Sequence, residues 1–326
     1  MTFYNVTVII VNWNSWDLLS RCLRALEKQT FSGFSTIVLD NGALDDTTKE
    51  TIEQFPNVSF YRCNFNSGFA AGNNKLLKMA GDCEWIATLN PDAFPEPNWL
   101  EELVKASINY PDYSFFASRL LMADLRDRLD GDGDTYHICG LAWRTKHGSI
   151  IKNDKIYKEV FSACAAAGFY HRDALVEIGG FDEDFFCYFE DVDIGFRLRL
   201  KGKKCLLVTS AVVNHIGSAT SGGRMSDFSI YHGHRNMVWG FVKNMPGMLF
   251  WIFLPFHIAI NLFSIIWFSL KKRRKAIIKS KVDAFRGLQK MWLKRKEIQS
   301  NRVAGIIDII KVMDKCPIPM IERFYR

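Results

Sequence analysis

The stretch VTVIIVNWN, residues 6–14, decides the fold class of this chain. Its first six residues are all β-branched and five of them are apolar, which is typical of a strand buried on both faces in a parallel sheet. Asn12 and Asn14 follow at the expected end of this strand. Because open α/β sheets bind ligands at the carboxyl ends of their strands, both residues are candidates for a binding site.

The same kind of unit recurs along the first ninety residues. Apolar runs at 36–39, 58–61 and 85–89 predict three further strands, and segments with helical spacing lie between them. Strands that alternate with helices through short connections indicate an α/β fold with a doubly wound sheet. Polar residues at every strand end favour one shared pocket; they are Asn12 and Asn14, Asp40 and Asn41, Asn64 to Asn66, and Asp92.

A second region combines acidic and aromatic residues. The acids are Asp182, Glu183, Asp184, Glu190, Asp191 and Asp193, and Phe185, Phe186, Tyr188 and Phe189 stand among them. Burial of an unpaired carboxylate is costly and raises its pKa, which suits a general base near neutral pH. The cluster is therefore a candidate for catalysis. The alternative is a surface helix start, where the helix dipole favours acids.

Composition narrows the class of protein. The 326 residues suffice for one large α/β domain with an appendage, or for two small domains. The eight cysteines include no C-x-x-C pair, which disfavours a zinc site or a disulfide framework and favours reduced thiols in the cytosol. The first ten residues have no basic stretch before a long apolar run, so no signal peptide is expected.

The positive charge is concentrated near the C-terminus. Residues 271–296 carry twelve Lys or Arg and one acid, a segment charge of +11 that leaves −4 for the rest of a chain whose total is +7. A nucleic-acid-binding protein is expected to have basic residues along a folded surface. The distribution therefore predicts no nucleic-acid partner.

Five motifs in order carry a resemblance to a known family. They are VIIVNWN at 8–14, LDNG at 39–42, NSGFAAGNN at 66–74, LNPD at 89–92, and the stretch from GGFDE to EDVD at 179–193. The chain resembles inverting nucleotide-sugar glycosyltransferases of family 2 with the GT-A fold, over roughly residues 6–245. It is most similar to the rhamnosyltransferase-like branch that builds bacterial cell-surface polysaccharide.

The resemblance implies a Rossmann-like sheet that binds a nucleoside diphosphate sugar and a lipid-linked saccharide as acceptor. It implies that Asp40 reads the nucleotide base and that Asp191 is the general base. Glu190, Asp193 and Asp182 are then expected to orient the loop or the acceptor. By resemblance alone, dTDP-rhamnose is the first candidate donor and UDP-hexoses are the second.

The 66–74 motif has a physical reading of its own. Its glycines allow close backbone approach, and the N-terminus of the following helix favours anions. Donor contacts are accordingly expected from Asn66, Gly68, Gly72, Asn73 and Asn74, together with Asn12, Asn14, Asp40, Asn41 and Asp92. The motif does not match G-x-G-x-x-G, which counts against a dehydrogenase.

A metal site is implied at Asp92, which matches the metal-binding position of the family. Mg²⁺ or Mn²⁺ prefers oxygen ligands and would neutralise the charge on the leaving nucleoside diphosphate. Asn90 stands where the common D-x-D motif has its first acid, so a second ligand is needed. His215 occupies the place where relatives supply a histidine ligand, although a lone histidine is more often structural.

The sequence DGDGD at 130–134 could be mistaken for a calcium-binding motif. It resembles the opening of a calcium-binding EF-hand loop, which needs glycine at its sixth position and glutamate at its twelfth. Thr135 and Leu141 occupy those positions, so a flexible loop is predicted instead.

The C-terminal third is expected to associate with the cytoplasmic face of the plasma membrane. Residues 245–270 are mostly apolar, but Pro255 divides them into pieces too short to span a bilayer. A basic run follows, and the positive-inside tendency opposes a single span, which remains the alternative. The prediction is a catalytic domain at 1–244 and, at 245–326, an apolar hairpin or in-plane helices with a basic amphipathic tail. An apolar stripe from Ile278 to Trp292 predicts an interfacial helix, or else a helix packed on the catalytic domain.

Two other functions remain as alternatives. A catalytically silent nucleotide-sugar-binding or scaffold protein could keep the same fold, although the presence of Asp92, Asp191 and His215 argues against it. A nucleotidyltransferase would need a basic triphosphate-binding loop near the first strand, and residues 12–20 contain no Lys or Arg.

Overall fold

A ten-stranded mixed sheet forms the centre of the protein, seen in a computed structural model that describes residues 5–42, 47–125, 127–152, 157–217, 223 and 225–316. The strands are β1 Val6–Asn12, β2 Phe34–Asn41, β3 Val58–Cys63, β4 Trp85–Leu89, β5 Ala93–Pro95, β6 Phe115–Met122, β7 Leu129–Asp132, β8 Asp134–Tyr136, β9 Ala142–Arg144, β10 Tyr157–Val160, β11 Ala167–His171 and β12 Cys205–His215. Strands β8 and β9 form a separate two-stranded sheet.

Helices cover the sheet and make up the C-terminal third. They are α1 Trp16–Leu26, α2 Thr47–Gln54, α3 Gly68–Met79, α4 Trp99–Asn109, α5 Arg172–Glu177, α6 Glu190–Leu200, α7 Asp227–Asn244, α8 Gly247–Leu270, α9 Arg274–Arg286, α10 Leu288–Ser300 and α11 Ile306–Val312. A 3₁₀ turn at Glu183–Phe185 precedes α6.

The sheet order explains where a site can form. Along the main path the order is β10-β12-β6-β11-β4-β1-β2-β3, and β1 to β4 are mutually parallel as the sequence predicts. Strand β11 is antiparallel to both β4 and β6, so the sheet as a whole is mixed. Strand β5 folds back to pair with the end of β12, which brings the loop after β4 to His215.

Both faces of the sheet are packed. One apolar cluster joins α1 and α4 to the sheet, and another joins α3, α5 and α6 to the opposite face. A third cluster centres on Phe185, Phe241 and Met291 and combines α6 and α7 with the C-terminal helices. The C-terminal third therefore shares a core with the part of the chain that precedes it.

The segment DGDGD is not a flexible loop, contrary to the prediction. Asp130 and Asp132 lie on β7 and Asp134 lies on β8, and all three are buried. Arg119 of β6 forms a two-point ion pair with Asp132, with nitrogen-to-oxygen distances of 2.9 and 3.0 Å. Asp130 and Asp132 are thus paired with basic residues of other strands or turns, which the alternation of Asp with Gly in the sequence did not indicate.

Helix α8 is continuous, so the expected interruption at Pro255 does not occur. Among the described residues it is the one helix that is long and apolar enough to cross a membrane. One face is buried along its length by Leu249, Phe250, Phe253, His257, Ser264 and Phe268. The opposite face is exposed and apolar; this α8 apolar face comprises Met248, Trp251, Ile252, Phe256, Leu262, Phe263, Ile266 and Leu270.

The stripe predicted between Ile278 and Trp292 does not face the body of the protein. Helix α9 packs through Ala276, Ile277, Ser280 and Ala284. Ile278, Val282, Phe285 and Trp292 remain exposed. Helices α9 and α10 therefore pack on the body with one face and present apolar residues to solvent with the other, and the interfacial location stays a prediction.

Candidate active site

Asp92 and His215 lie together at the end of the sheet. The pairing of β5 with β12 sets His215 opposite Ala93, the residue after Asp92. His215 Nε2 lies 3.4 Å from Asp92 Oδ1, and both side chains are largely buried. Strand pairing therefore brings together the two residues for which the sequence suggested a metal site.

His215 is held from its other side by residues that sequence reasoning missed. Its Nδ1 lies 2.8 Å from Asp130 Oδ2, and Arg144 Nη1 lies 3.3 Å from the same ring nitrogen while also pairing with Asp130. Burial opposes protonation of His215, but hydrogen bonds to Asp130 and Asp92 outweigh it and raise the pKa of the ring. Burial likewise opposes ionisation of Asp130, yet Arg144, His147 and His215 hold its pKa well below the usual range.

The donor set suits a divalent cation in part. With Nδ1 engaged by Asp130, the buried Nε2 is directed at Asp92, whose Oδ1 lies 3.4 Å away. A nitrogen and an oxygen 3.4 Å apart can both bind one ion at about 2.1 Å. Within the described part of the chain, no group of three or more His, Cys, Asp or Glu residues is arranged to hold a metal. Further ligands would have to come from a diphosphate or from water.

At the ends of β1 and β2, Asn12 and Asp40 are fully buried. Neither polar side-chain atom of Asn12 has a hydrogen-bond partner among the described residues. Because buried amides are almost always paired, this one is positioned for a ligand. Asp40 forms an ion pair with Arg62 Nε at 2.9 Å, and Asn14 is exposed with a φ of 50°.

Asn41 and Asn66 are used within the protein. Asn41 Nδ2 donates to Asn66 Oδ1 and to the Gly68 carbonyl, both at 3.1 Å, while its Oδ1 accepts from Ser67. Asn66 Oδ1 also accepts from the Gly68 N–H at 2.9 Å. These bonds fix the loop before α3, so the two amides shape the pocket wall rather than present free groups to a donor.

The glycines of the 66–74 motif approach protein groups. A Cβ on Gly68 would lie 2.5 Å from the Phe186 ring, and one on Gly72 would lie 2.8 Å from Val11. The Phe186 carbonyl also accepts the N–H of Ala70 at 3.1 Å, which occupies the N-terminus of α3. The glycines of this motif thus pack against β1 and the acidic loop, and its use as an anion site stays a prediction.

Asn73 and Asn74 are also directed inward. Asn73 Nδ2 donates to the Phe69 carbonyl one turn earlier at 2.9 Å. Asn74 exchanges two hydrogen bonds of 2.8 Å with the Phe181 backbone and donates to Glu183 at 2.9 Å. Asn74 thus joins α3 to the start of the acidic loop.

Asp191 lies at the first turn of α6 and is tied to the sheet. Its Oδ2 accepts the Ala165 N–H at 3.3 Å, and its Oδ1 accepts the Val192 N–H at 2.8 Å. Ala166, the next residue after Ala165, accepts the N–H of Asn90 at 3.0 Å, two residues before Asp92. One short run of backbone therefore connects the predicted base to the loop of the predicted metal ligand.

Two acids close to Asp191, Glu190 and Asp134, have raised pKa values. Burial, followed by the charges of Asp191 and Asp193, raises the pKa of Glu190 well above its usual range, and Glu190 Oε2 has no partner among the described residues. Burial, followed by the charge of Asp191, likewise raises the pKa of Asp134. The Asp134 N–H donates to the Ser162 carbonyl, and Ser162 Oγ donates to the Asp191 carbonyl, both at 2.9 Å.

Asp193 and Asp182 anchor the acidic region to α7. Asp193 is fully buried and contacts Arg197, Lys243 and Asn244, each at 2.7 Å. Lys243 also contacts Asp182 at 2.5 Å. Burial opposes ionisation of both acids, but their basic partners outweigh it and lower both pKa values. These contacts are consistent with one of the two roles expected for Asp193 and Asp182, which is to orient the loop.

The loop before α6 has an unusual backbone. Phe186, Tyr188 and Phe189 have φ values of 66°, 64° and 74°, a region that bulky residues rarely adopt and that costs about 1–3 kcal/mol each. Asn236 of α7 holds this loop by donating to the carbonyls of Phe185, Cys187 and Tyr188 at 2.7–2.9 Å. Asn236 can make these contacts because it is buried in the middle of α7.

Comparison with known sequences supports a family assignment. The sequence pattern described as Glycosyl transferase family 2 matches residues 7–179, just over half of the chain. An N-acetylglucosaminyl-diphospho-decaprenol L-rhamnosyltransferase of Mycobacterium tuberculosis is 27% identical over 252 residues, covering 69% of this chain and 80% of the relative. The O-antigen biosynthesis protein RfbC of Myxococcus xanthus is 25% identical over 66% of this chain and 17% of its own length.

Solved structures share the fold. GalNAc-T7, solved with UDP, GalNAc and Mn²⁺, superposes with a TM-score of 0.61 at 16% identity, covering 74% of this chain and 48% of that one. Staphylococcus aureus TarS superposes with a TM-score of 0.54 at 14% identity, covering 78% and 43%. The chain thus spans less than half of either solved chain. The shared sheet is the GT-A fold, which confirms the predicted fold class.

Proposed function

The chain belongs to glycosyl transferase family 2 and is a glycosyltransferase, and we propose that it moves a sugar, with inversion, from a nucleoside diphosphate donor to a lipid-linked saccharide. The observation that carries this proposal is the joint placement of Asp92, His215 and Asp191. Asp92 and His215 lie in contact, and Asp191 is joined to the same loop through Ala165 and the backbone beside it.

In this mechanism the acceptor hydroxyl attacks the anomeric carbon while its bond to the diphosphate oxygen breaks. The diphosphate leaves with the electron pair, and Asp191 takes the acceptor proton. A positioned general base contributes about 10²–10⁴ in rate. The backbone that carries Asp191 is held by Asp193, Asp182 and Asn236. Glu190 is buried in the same helical turn.

Donor binding is proposed at the ends of β1 and β2. The unpaired amide of Asn12 is positioned for a base or ribose, beside the Asp40 carboxylate that Arg62 holds, with Asn14 at the rim. Asn41, Asn66, Gly68, Gly72, Asn73 and Asn74 support this wall from behind. Their contribution to donor affinity is therefore proposed to be indirect.

Asp92 and His215 would hold a divalent cation, Mg²⁺ or Mn²⁺. When bound, such an ion would act as a Lewis acid and neutralise charge on the leaving diphosphate. Asp130 and Arg144 fix the orientation of the His215 ring, so that Nε2 and not Nδ1 faces Asp92. Carboxylates that orient a metal-binding histidine in this way are common second partners of metal sites.

The proposed sugar is rhamnose, in the synthesis of a surface polysaccharide such as O-antigen or capsule. Support comes from the named activity of the mycobacterial relative, which also specifies a lipid diphosphate acceptor. A UDP-hexose donor is the second candidate. At 27% identity the relative supports the class of reaction more strongly than the sugar.

We place the enzyme on the cytoplasmic face of the plasma membrane. Residues 1–244 would perform catalysis and residues 245–326 would provide attachment. Helix α8 is packed on protein along one face and exposed along the other, which supports an in-plane orientation at the bilayer surface. A perpendicular span would draw the packed neighbours of α8 into the hydrocarbon.

The experiment that tests the function is a panel of nucleotide sugars with Mn²⁺ or Mg²⁺, scored for nucleoside diphosphate release with and without a polyprenyl-diphosphate-linked acceptor. Acceptor-stimulated release from one donor is expected. A catalytically silent nucleotide-sugar-binding or scaffold protein of the same fold would bind a donor without releasing the diphosphate under any condition.

A further inference from the structure

A cavity of about 310 Å³ lies between the start of α8, helix α10 and the turn after α10. Its lining residues are Gly247, Trp292, Arg295, Lys296, Gln299 and Arg302. Small-molecule sites commonly enclose about 300–1,000 Å³, so the cavity is large enough for a compact polar group. Residues of the C-terminal third form the cavity, which is separate from the proposed donor site.

The charges around this cavity favour an anion. Three lining residues are cationic and none is acidic. Within the described part of the chain, Arg295, Lys296 and Arg302 form no ion pair, and the buried Nη1 of Arg302 has no hydrogen-bond partner. A buried cationic donor without a partner is costly, and an anionic ligand would remove that cost.

Arg295 is fixed in place before any ligand arrives. Its Nη1 donates to the carbonyls of Val242 and Met245, and its guanidinium lies 4.5 Å from the centre of the Phe250 ring. These contacts hold the guanidinium without neutralising it by an acid. Burial lowers the pKa of Arg295 to about 10, so it stays charged at neutral pH.

The cavity adjoins the α8 apolar face. The ring of Trp292, which lines it, lies 6.4 Å from the ring of Trp251, and Trp251 is 59% exposed on that face. Tryptophan rings favour the level of the lipid headgroups, and Lys and Arg side chains reach the same level. If the apolar face enters the bilayer, the cavity lies among phosphate groups.

Two hydrogen bonds connect the cavity to the helix that carries Asp191. Gln299 Nε2 donates to the Asn244 carbonyl at 3.1 Å, and Asn244 Nδ2 donates to Asp193 at 2.7 Å. A lipid held by its phosphate at Lys296 and Arg302 would therefore be fixed to the same framework as the predicted base.

We propose that this cavity binds the phosphate or diphosphate group of a membrane lipid. The inference rests on the proposed function for the expectation that a lipid diphosphate is the acceptor. Two lipids share the required chemistry: the diphosphate of the acceptor and the headgroup of an anionic phospholipid.

The test is vesicle binding by the full chain without any donor. Three vesicle types are compared by co-sedimentation: phosphatidylcholine alone, phosphatidylcholine with phosphatidylglycerol, and phosphatidylcholine with undecaprenyl diphosphate at matched surface charge. The variants are Lys296→Gln and Arg302→Gln. The control is Arg286→Gln, which removes one exposed charge of the same basic segment outside the cavity.

Each cavity variant is expected to weaken binding to lipid-phosphate vesicles by about tenfold or more, because charge-assisted hydrogen bonds are lost. The control should lose about fivefold at most, the effect of one basic residue near an anionic surface. Loss confined to undecaprenyl diphosphate would identify the acceptor as the ligand. Loss for both anionic vesicles would identify phospholipid headgroups as well.

Equal effects of Lys296→Gln and Arg286→Gln would overturn the proposal, and because Lys296 is exposed this comparison does not depend on how Arg302→Gln folds. Thermal melting of each variant checks the fold. The assay contains no donor and measures no transfer, so a failure here is separate from a failure of the proposed function.

Discussion

At the residue scale, Asp191 is the side chain on which the proposed chemistry depends most. Asp191→Asn keeps its size and can still accept one of the two hydrogen bonds, from Ala165 or from Val192, but it cannot take a proton. We expect kcat to fall by about 10²–10⁴ with donor affinity nearly unchanged. Steady-state kinetics and donor calorimetry would measure the two effects. Asp173→Asn, which changes an exposed acid on α5, is the control, and near wild-type turnover in Asp191→Asn would exclude this residue as the base.

Glu190 makes a separate prediction about pH and stability. Its pKa is higher in the folded protein than the ordinary value of 4.5, so between these two values the folded state binds more protons than the unfolded state. The free energy of unfolding should therefore fall as pH rises above about 4.5, because ionisation must occur in a buried site. Glu190→Gln should remove this decline.

Denaturant unfolding of wild type and Glu190→Gln from about pH 5 to pH 8 checks this expectation. The variant should gain stability relative to wild type as pH increases. Parallel curves across that range would mean that Glu190 ionises in the folded protein as easily as in the unfolded chain.

His215 and Asp130 are expected to act as one unit in metal binding. His215→Ala removes a proposed metal ligand. Asp130→Asn keeps His215 but weakens the hydrogen bond that orients its ring. The second change should lower metal affinity by about 10–100-fold. Calorimetry of nucleoside diphosphate binding at several Mn²⁺ concentrations measures both, with His171→Ala as a histidine control on another strand. Unchanged Mn²⁺ dependence in His215→Ala would make this histidine purely structural.

At the element scale, α7 holds the loop that precedes α6 in its observed conformation. The Asn236 side-chain nitrogen lies within hydrogen-bond distance of three carbonyls of a loop with three unfavourable φ values, and its two hydrogens are shared among them. Asn236→Ala should leave those groups unpaired, at a cost of about 1–3 kcal/mol, and should lower kcat through displacement of Asp191. Hydrogen exchange localised to residues 185–191 would report the loosened loop, and global melting would report the stability. Asn301→Ala, at the end of α10, is the control.

The elements also show which features a sequence can reveal. Strands β1 to β4 were predictable because β-branched runs between polar residues have few other ways to pack. The packing of Gly68 on Phe186 and of Gly72 on Val11 was not, because a glycine that touches a side chain looks the same in sequence as one that touches a phosphate. Asp130 was missed because its partners lie 14 and 85 residues away, and only strand register brings them together.

At the scale of the whole molecule, the C-terminal third is packed into the protein as well as being suited to a membrane. Met291, Ile309 and Met313 share a core with Phe241 and Phe185. Lys294 pairs with both Asp182 and Asp184 of the acidic loop. Removal of residues after 244 would therefore expose a core and unpair that loop. Attachment to a membrane is better tested by substitutions on the exposed surface.

The α8 apolar face provides that test. In Trp251→Gln/Ile252→Gln/Phe256→Gln, three side chains that are 52–59% exposed lose their apolar character. Full burial of such a side chain contributes about 1.5–3 kcal/mol, against about 1 kcal/mol for each basic residue near an anionic surface. We therefore expect the wild-type chain to remain with membranes in high salt and to leave them in detergent, whereas the triple variant becomes largely soluble.

Membrane fractionation with salt and detergent washes measures this difference, and thermal melting confirms that the triple variant is folded. Ile108→Gln changes an apolar residue that is 49% exposed on α4 and should not alter the distribution. The triple variant should still bind donor but should act poorly on a lipid-linked acceptor, because the acceptor is concentrated at the membrane that the variant no longer reaches. A triple variant that stays with membranes as firmly as wild type would show that α8 is not the attachment surface.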